Sequence, residues 1–143
     1  MREILFRGKQ KDNGEWMYGA YLHQTQFYGD DVDRHWIIEH GEFDYDHYEA
    51  YQVIPETVGQ YTGLTDKSGK KIFEGDILGV GTVSGYVLFK SGCFVFCWKN
   101  NDKHRLDFYK DCILTNYWGF NELEVIDNIH DNPELLEGDT DDA

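Results

Sequence analysis

Apolar and polar positions alternate in short runs along this chain, and the alternation has a period of two. Residues 2–7 read as a strand. Asp12-Asn13-Gly14 is a turn signal, because Asn and Gly tolerate positive φ. Glu15 to Leu22 reads as the returning strand, with Trp16, Tyr18 and Ala20 on one face. Residues 23–33 are polar and include Gly29-Asp30-Asp31, which predicts a loop. A short strand follows over Arg34 to His40. Gly41 to Ala50 alternates rings with charges, as an exposed edge strand or an ordered loop would.

Tyr51 to Ile54 and Thr57 to Tyr61 read as strands broken at Pro55. Asp66-Lys67-Ser68-Gly69 predicts a turn, and Ile72-Phe73 leads through Glu74-Gly75-Asp76 into a strand over Asp76 to Val80. Gly81 to Gly85 predicts a loop. Strands are then expected at Tyr86 to Phe89, Cys93 to Trp98, His104 to Phe108, Ile113 to Tyr117 and Leu123 to Ile129. Asn132-Pro133-Glu134 is a helix start: a capping residue, Pro at the first helical position, then an acid in the first turn. Only a short helix over Asn132 to Leu136 fits before Gly138. Many short strands with no long helical period predict an all-β fold. The expected layout is an N-terminal β segment over 1–54 and a small SH3-like, barrel-like β unit over 55–137, together one domain. The last residues, 138–143, read as a disordered tail.

Composition supports that reading. The chain has 143 residues, 15 Gly, 2 Pro and 16% aromatics. Rings suit half-buried pleated surfaces and Gly suits turns. The formal net charge is -14, and the acids cluster: residues 30–49 hold eight acids and one Arg, and residues 111–143 hold ten acids with no Lys or Arg. Such a surface repels nucleic acid and anionic membranes. No apolar run approaches the roughly 18 residues of a membrane helix, and the N-terminus lacks a signal-peptide pattern. A soluble, cytoplasmic protein is expected. Cys93, Cys97 and Cys112 are an odd count with no paired framework. Cys93 and Cys97 fall on one face of a strand, as reduced core fillers.

The run Gly59 to Leu78, which contains Gly63, Asp66, Gly69, Glu74, Gly75 and Asp76, is the most distinctive stretch. With Gln52 to Val58 before it, Arg2 to Gly8 at the start and Glu124 to Leu136 at the end, it resembles the YopX family. These blocks fall in the right order and span most of the chain. Asp127 stands where relatives more often have Gly. The resemblance implies a mostly β protein of a phage or prophage in a bacterial host. It implies no established activity and no catalytic set. Physically, Gly63, Gly69 and Gly75 mark bends, and the acids Asp66 and Asp76 are suited to fold back onto turn N–H groups.

Glu74 and Asp76 lie on one face of an extended strand and could share a cation, the basis of a metal-dependent hydrolase alternative. His35 and His40 with Asp44, Asp46 and His47 form a local group of ligand types whose spacing fits no zinc motif. Lys70, Lys71 and Lys90, with Trp98 as a stacking platform, are the candidate nucleic-acid face of the barrel. Trp36, Phe43, Tyr45 and Tyr48 lie in a ring-rich acidic stretch that suits a protein interface. No nucleophile, phosphate loop or cofactor motif assembles. The expectation is therefore a non-enzymatic accessory protein without a cofactor or metal. It would act by self-association or on a basic host or phage protein.

Overall fold

A computed structural model describes residues 3–40, 48–80, 83–90, 92–100, 103–107 and 123–134. The fold is all-β, built from antiparallel sheets. Contacts divide the chain into two units, Met1–Tyr61 and Thr62–Ala143.

The first unit contains β1 (Phe6–Lys9), β2 (Trp16–Phe27), β3 (Asp30–His40), β4 (Tyr48–Gln52) and the start of β5 (Gly59–Thr65). They pair in the order β4-β3-β2-β1-β5. The Asp12–Gly14 turn forms as expected: Gly14 takes φ 74°, its N–H reaches the Gln10 carbonyl, and Asn13 Oδ1 accepts from Glu15 N at 2.9 Å. β2 and β3 are longer than the alternation suggested. Residues 23–33, expected as a loop, extend both strands and leave only Tyr28-Gly29 to turn between Phe27 and Asp30. Both turn residues have positive φ, 48° and 85°, the primed geometry that matches the strand twist. The core here centres on Ile37 and Val53, each almost wholly buried. Pro55–Thr57 forms one 3-10 turn with Pro at its start. The buried Thr57 hydroxyl accepts from Lys9 N at 2.9 Å and donates to the Ile54 carbonyl at 2.6 Å, which fixes this turn against β1.

The second unit contains the end of β5, β6 (Lys71–Phe73) and a five-stranded sheet. The strands of that sheet are β7 (Asp76–Val80), β8 (Val83–Lys90), β9 (Cys93–Asn100), β10 (Lys103–Asp107) and β11 (Glu124–Asn128), ordered β10-β9-β8-β7-β11. Its core is Ile72, Leu78, Val87, Val95, Phe96, Cys97 and Leu123. Aliphatic and aromatic side chains of this size each contribute roughly 1.5–3 kcal/mol when buried. Cys97 is buried, and Cys93 packs on the same cluster. β8 starts at Val83, so the expected 81–85 loop is shorter. Gly85 sits opposite Trp98 in the ladder. A Cβ on Gly85 would lie 2.1 Å from the Cys97 carbonyl oxygen, so only Gly fits there. The expected short helix at Asn132–Leu136 is not confirmed, and residues 135 and 136 lie outside the described residues. So do the expected strand at Ile113–Tyr117, Phe108, Cys112 and the 138–143 tail.

Candidate functional site

The distinctive Gly59–Leu78 run resolves into turn chemistry. Asp66 is buried and its carboxylate accepts three backbone N–H groups. Oδ1 takes Ser68 N and Lys70 N, both at 2.9 Å, and Oδ2 takes Val125 N at 3.0 Å, 59 residues away. Lys67 N adds a bond to the Leu123 carbonyl at 2.9 Å, so the turn is tied both to β11 and to the residue just before it. Burial pushes the Asp66 carboxyl up, but the N–H groups of Val125, Lys70 and Ser68 and the Lys70 charge outweigh it. The group sits below its ordinary value.

Asp76 is 2% exposed and accepts Phe73 N at 2.7 Å across the Glu74-Gly75 corner. Gly75, at φ 93°, donates to the Val87 carbonyl at 2.7 Å and accepts from Ile129 N at 2.9 Å. Gly63 and Gly69 also take positive φ, 90° and 86°. Glu74 is half-buried on the same corner. Asp76 ties the end of β6 to the start of β7, and Gly75 joins that corner to β8 and to the residue just after β11.

The strand arm of β2 and β3 carries a constellation that the loop assignment hid. His23 lies directly opposite His35 in the ladder. Beyond them the register slips: Gln24 pairs with Arg34 but Gln26 with Asp31, so β3 holds one extra residue beside Asp33. Bulges re-aim side chains. Here Asp33 Oδ1 meets His23 Nε2 at 2.7 Å and His35 Nε2 at 3.1 Å. The two imidazoles stack with centroids 4.1 Å apart. Tyr21 Oη and His35 Nδ1 share a 2.6 Å hydrogen bond, which orients the inner ring.

The hydrogen bond from His23 and the charges of both imidazoles hold the Asp33 carboxyl below its ordinary range, against a push from burial. Burial, followed by the Asp33 charge, raises the Tyr21 phenol. Asp33 and His35 also line a cleft of about 230 Å³ with Lys11, Gln52, Val53, Ile54 and Pro55. Of the ligand group expected around His35, Asp44, Asp46 and His47 lie outside the described residues. His35 meets His23 and Asp33, both within the 23–33 stretch whose polarity predicts a loop.

The two faces of the β2–β3–β4 sheet differ in character. One carries the histidine cluster and, further along, Glu39 directly opposite Glu49. Tyr51 Oη donates to Glu49. That bond, then burial and the charges of Glu49 and Glu39, push its phenol up to about 12. The other face carries Tyr18, Ala20 and Leu22 of β2. Ile38 and Trp36 of β3 lie opposite Ala20 and Leu22, and Ala50 of β4 lies opposite Ile38. Tyr18 and Leu22 are 43% and 48% exposed. Trp36 donates its indole N–H to Gln24 Oε1 at 3.0 Å. At the β1 end the buried Arg7 guanidinium lies 4.7 Å from the Trp16 ring. At the far end, Phe27 and the 92% exposed Tyr28 pack edge to face, with Arg34 over Phe27.

Among the other candidate interface residues, Tyr48 begins β4 opposite His40. Phe43 and Tyr45 lie outside the described residues. Lys70 and Lys71 are exposed at the Asp66 turn and the start of β6. Lys90 and Trp98 stand at opposite ends of the β8–β9 ladder, paired with Cys93 and Gly85.

Comparison with known proteins places this architecture. The crystal structure of protein EF1440 from Enterococcus faecalis matches with a TM-score of 0.52 and 22% sequence identity, over 95% of this chain and 99% of that chain. At that identity the likeness concerns the fold alone. No curated protein matches the chain. A family model described as YopX protein matches residues 5–137. That span takes in the Asp66 turn, the Glu74-Gly75-Asp76 corner and β11, the elements that brace one another in the second unit, and the chain belongs to the YopX family.

Proposed function

We propose that this chain is a phage- or prophage-encoded accessory protein that acts by protein–protein contact and associates with itself. The observation that carries the reading is the open face of β2, β3 and β4. Tyr18, Ala20, Leu22, Trp36, Ile38 and Ala50 form an apolar strip on it, and no Asp or Glu stands among them. In a chain of net charge -14, a strip of six residues without a carboxylate lets two copies meet there with little repulsion. Contiguous exposed apolar area on a soluble protein marks an interaction site. A two-fold contact uses the same patch on both copies, so Leu22 and Trp36 of one chain would face their counterparts.

The hairpin tip supports the same reading. Tyr28 occupies a left-handed backbone position that favours Asn or Gly, yet it is 92% exposed. A ring held there at a local cost of about 1 kcal/mol suits contact with another molecule, since backbone strain clusters at functional positions. Static light scattering over a range of protein concentration tests the proposal. The expected result is a mass of two chains that falls toward one on dilution. A mass of one chain at every concentration overturns self-association.

A further inference from the structure

We propose that His23, Asp33 and His35 form a three-ligand site for a divalent first-row transition ion, zinc first among them. Nothing in the contact surface described above depends on this site. It lies on the opposite face of the same sheet.

Four observations point to an ion. The ligand atoms His23 Nε2, Asp33 Oδ1 and His35 Nε2 all lie within 4.8 Å of one another. An ion about 2.0–2.2 Å from imidazole nitrogen and carboxylate oxygen sets tetrahedral ligand atoms roughly 3.3–3.6 Å apart. The separations from Asp33 Oδ1, 2.7 Å and 3.1 Å, are those of hydrogen bonds, so an ion would part these groups by roughly half an ångström, which the exposed Asp33 and His23 side chains can supply. Two imidazoles and one carboxylate are also the donor set that suits zinc, nickel and cobalt rather than magnesium or calcium.

Second, the arrangement is built by the fold. The ladder sets His23 against His35, and the extra residue on β3 turns Asp33 toward both. Third, His35 has an orienting partner. Its Nδ1 meets Tyr21 Oη at 2.6 Å, as a ligand histidine's second nitrogen usually does. With the metal on Nε2, the Nδ1 proton donates to the Tyr21 oxygen. Without it, the phenol donates to Nδ1 and Nε2–H faces Asp33. The same hydrogen bond serves both tautomers.

Fourth, both Nε2 atoms converge on one oxygen while the rings stack 4.1 Å apart. A cation shared by all three groups would take the place of the two donors that converge on that oxygen. Three protein ligands leave coordination positions open. The cleft lined by Asp33, His35 and Lys11 gives water or a small anion room to fill them.

Isothermal titration of the full chain with Zn²⁺ in a non-chelating buffer tests the site. The expected result is one equivalent bound per chain in the micromolar range. Asp33→Ala and His23→Ala should each weaken binding about tenfold or more, and His130→Ala should leave it unchanged. Asp33 is 77% exposed and His23 45% exposed at the side chain, so neither substitution removes core packing. A second reading uses the unaltered protein: ring signals of His23 and His35 should shift together in a zinc-titrated NMR spectrum, while those of His130 stay in place. No binding at high micromolar zinc overturns the site. So does binding that is equal in wild type, Asp33→Ala and His23→Ala, or zinc shifts that spare His23 and His35.

Discussion

Replacing Asp66 by alanine removes the acceptors of three backbone N–H groups at once. Two of them, on Ser68 and Lys70, belong to exposed residues, and water can replace the lost bonds at small cost. The third, on Val125, is partly buried and joins the turn to β11 at 3.0 Å. Leaving a buried donor unsatisfied costs about 1–3 kcal/mol, and a hydrogen bond to a charged group contributes about 1.5–3 kcal/mol. With the turn bonds partly rehydrated, the total loss is about 2–4 kcal/mol. That is a large share of the roughly 5–15 kcal/mol that holds a domain folded. For a chain of this length it lowers the melting temperature by about 10 °C.

Asp66→Asn separates the contributions. Its amide oxygen keeps the Ser68 and Lys70 bonds, but its NH₂ faces the Val125 donor, so the loss should be about half that of alanine. The pH dependence has a fixed sign. The Asp66 carboxyl is depressed in the folded state, so its contribution is present above the ordinary carboxylate pKa. It is lost as pH falls through the depressed folded value. Wild type and Asp66→Asn should therefore converge in stability in acid. Urea unfolding followed by near-UV circular dichroism measures all three proteins. An alanine variant within about 0.5 kcal/mol of wild type, the scatter of ordinary surface substitutions, would refute the bracing role.

Tyr28→Asn relieves the left-handed backbone position at the hairpin tip. It should stabilise the monomer by about 0.5–1 kcal/mol while weakening self-association, a combination seen by measuring melting and light scattering on the same sample. Gly85→Ala drives a methyl group onto the Cys97 carbonyl, 2.1 Å from its ideal position. It should cost about 1–3 kcal/mol in urea unfolding, and a neutral result would mean the β8–β9 approach is looser than described.

The second unit was largely legible because its turns carry their own chemistry. Gly63, Gly69 and Gly75, read as bends, all take positive φ, and Asp66 folds onto its own turn as its side chain permits. The long bond from Asp66 to Val125 was invisible, since nothing local marks a partner 59 residues on. The β2–β3 arm was misread for a clear reason. His23 to Gln26 and Asp30 to Asp33 are, apart from Val32, polar and mostly exposed, and a two-stranded ribbon wet on both faces carries no buried stripe to mark it. The readable signal was Gly29 flanked by a tight turn, with residues able to pair on either side. Missing the arm hid the register that sets His23 against His35, and with it the bulge that brings in Asp33. Trp36 was singled out as an interface ring, but its partners Leu22, Ala20 and Tyr18 emerge only from the ladder.

The central claim, that the apolar strip on β2, β3 and β4 joins two copies, is tested most directly by sedimentation velocity on wild type beside Leu22→Asp. Leu22 is 48% exposed, so the substitution should leave the fold of one chain intact by circular dichroism. In a two-fold contact it sets two carboxylates into the apolar patch. The account predicts a dimer for wild type and a monomer for Leu22→Asp at the same concentration, with association weakened about a hundredfold, or about 2.7 kcal/mol. A wild type that sediments as a monomer throughout, or a Leu22→Asp chain that associates as wild type does, would contradict it.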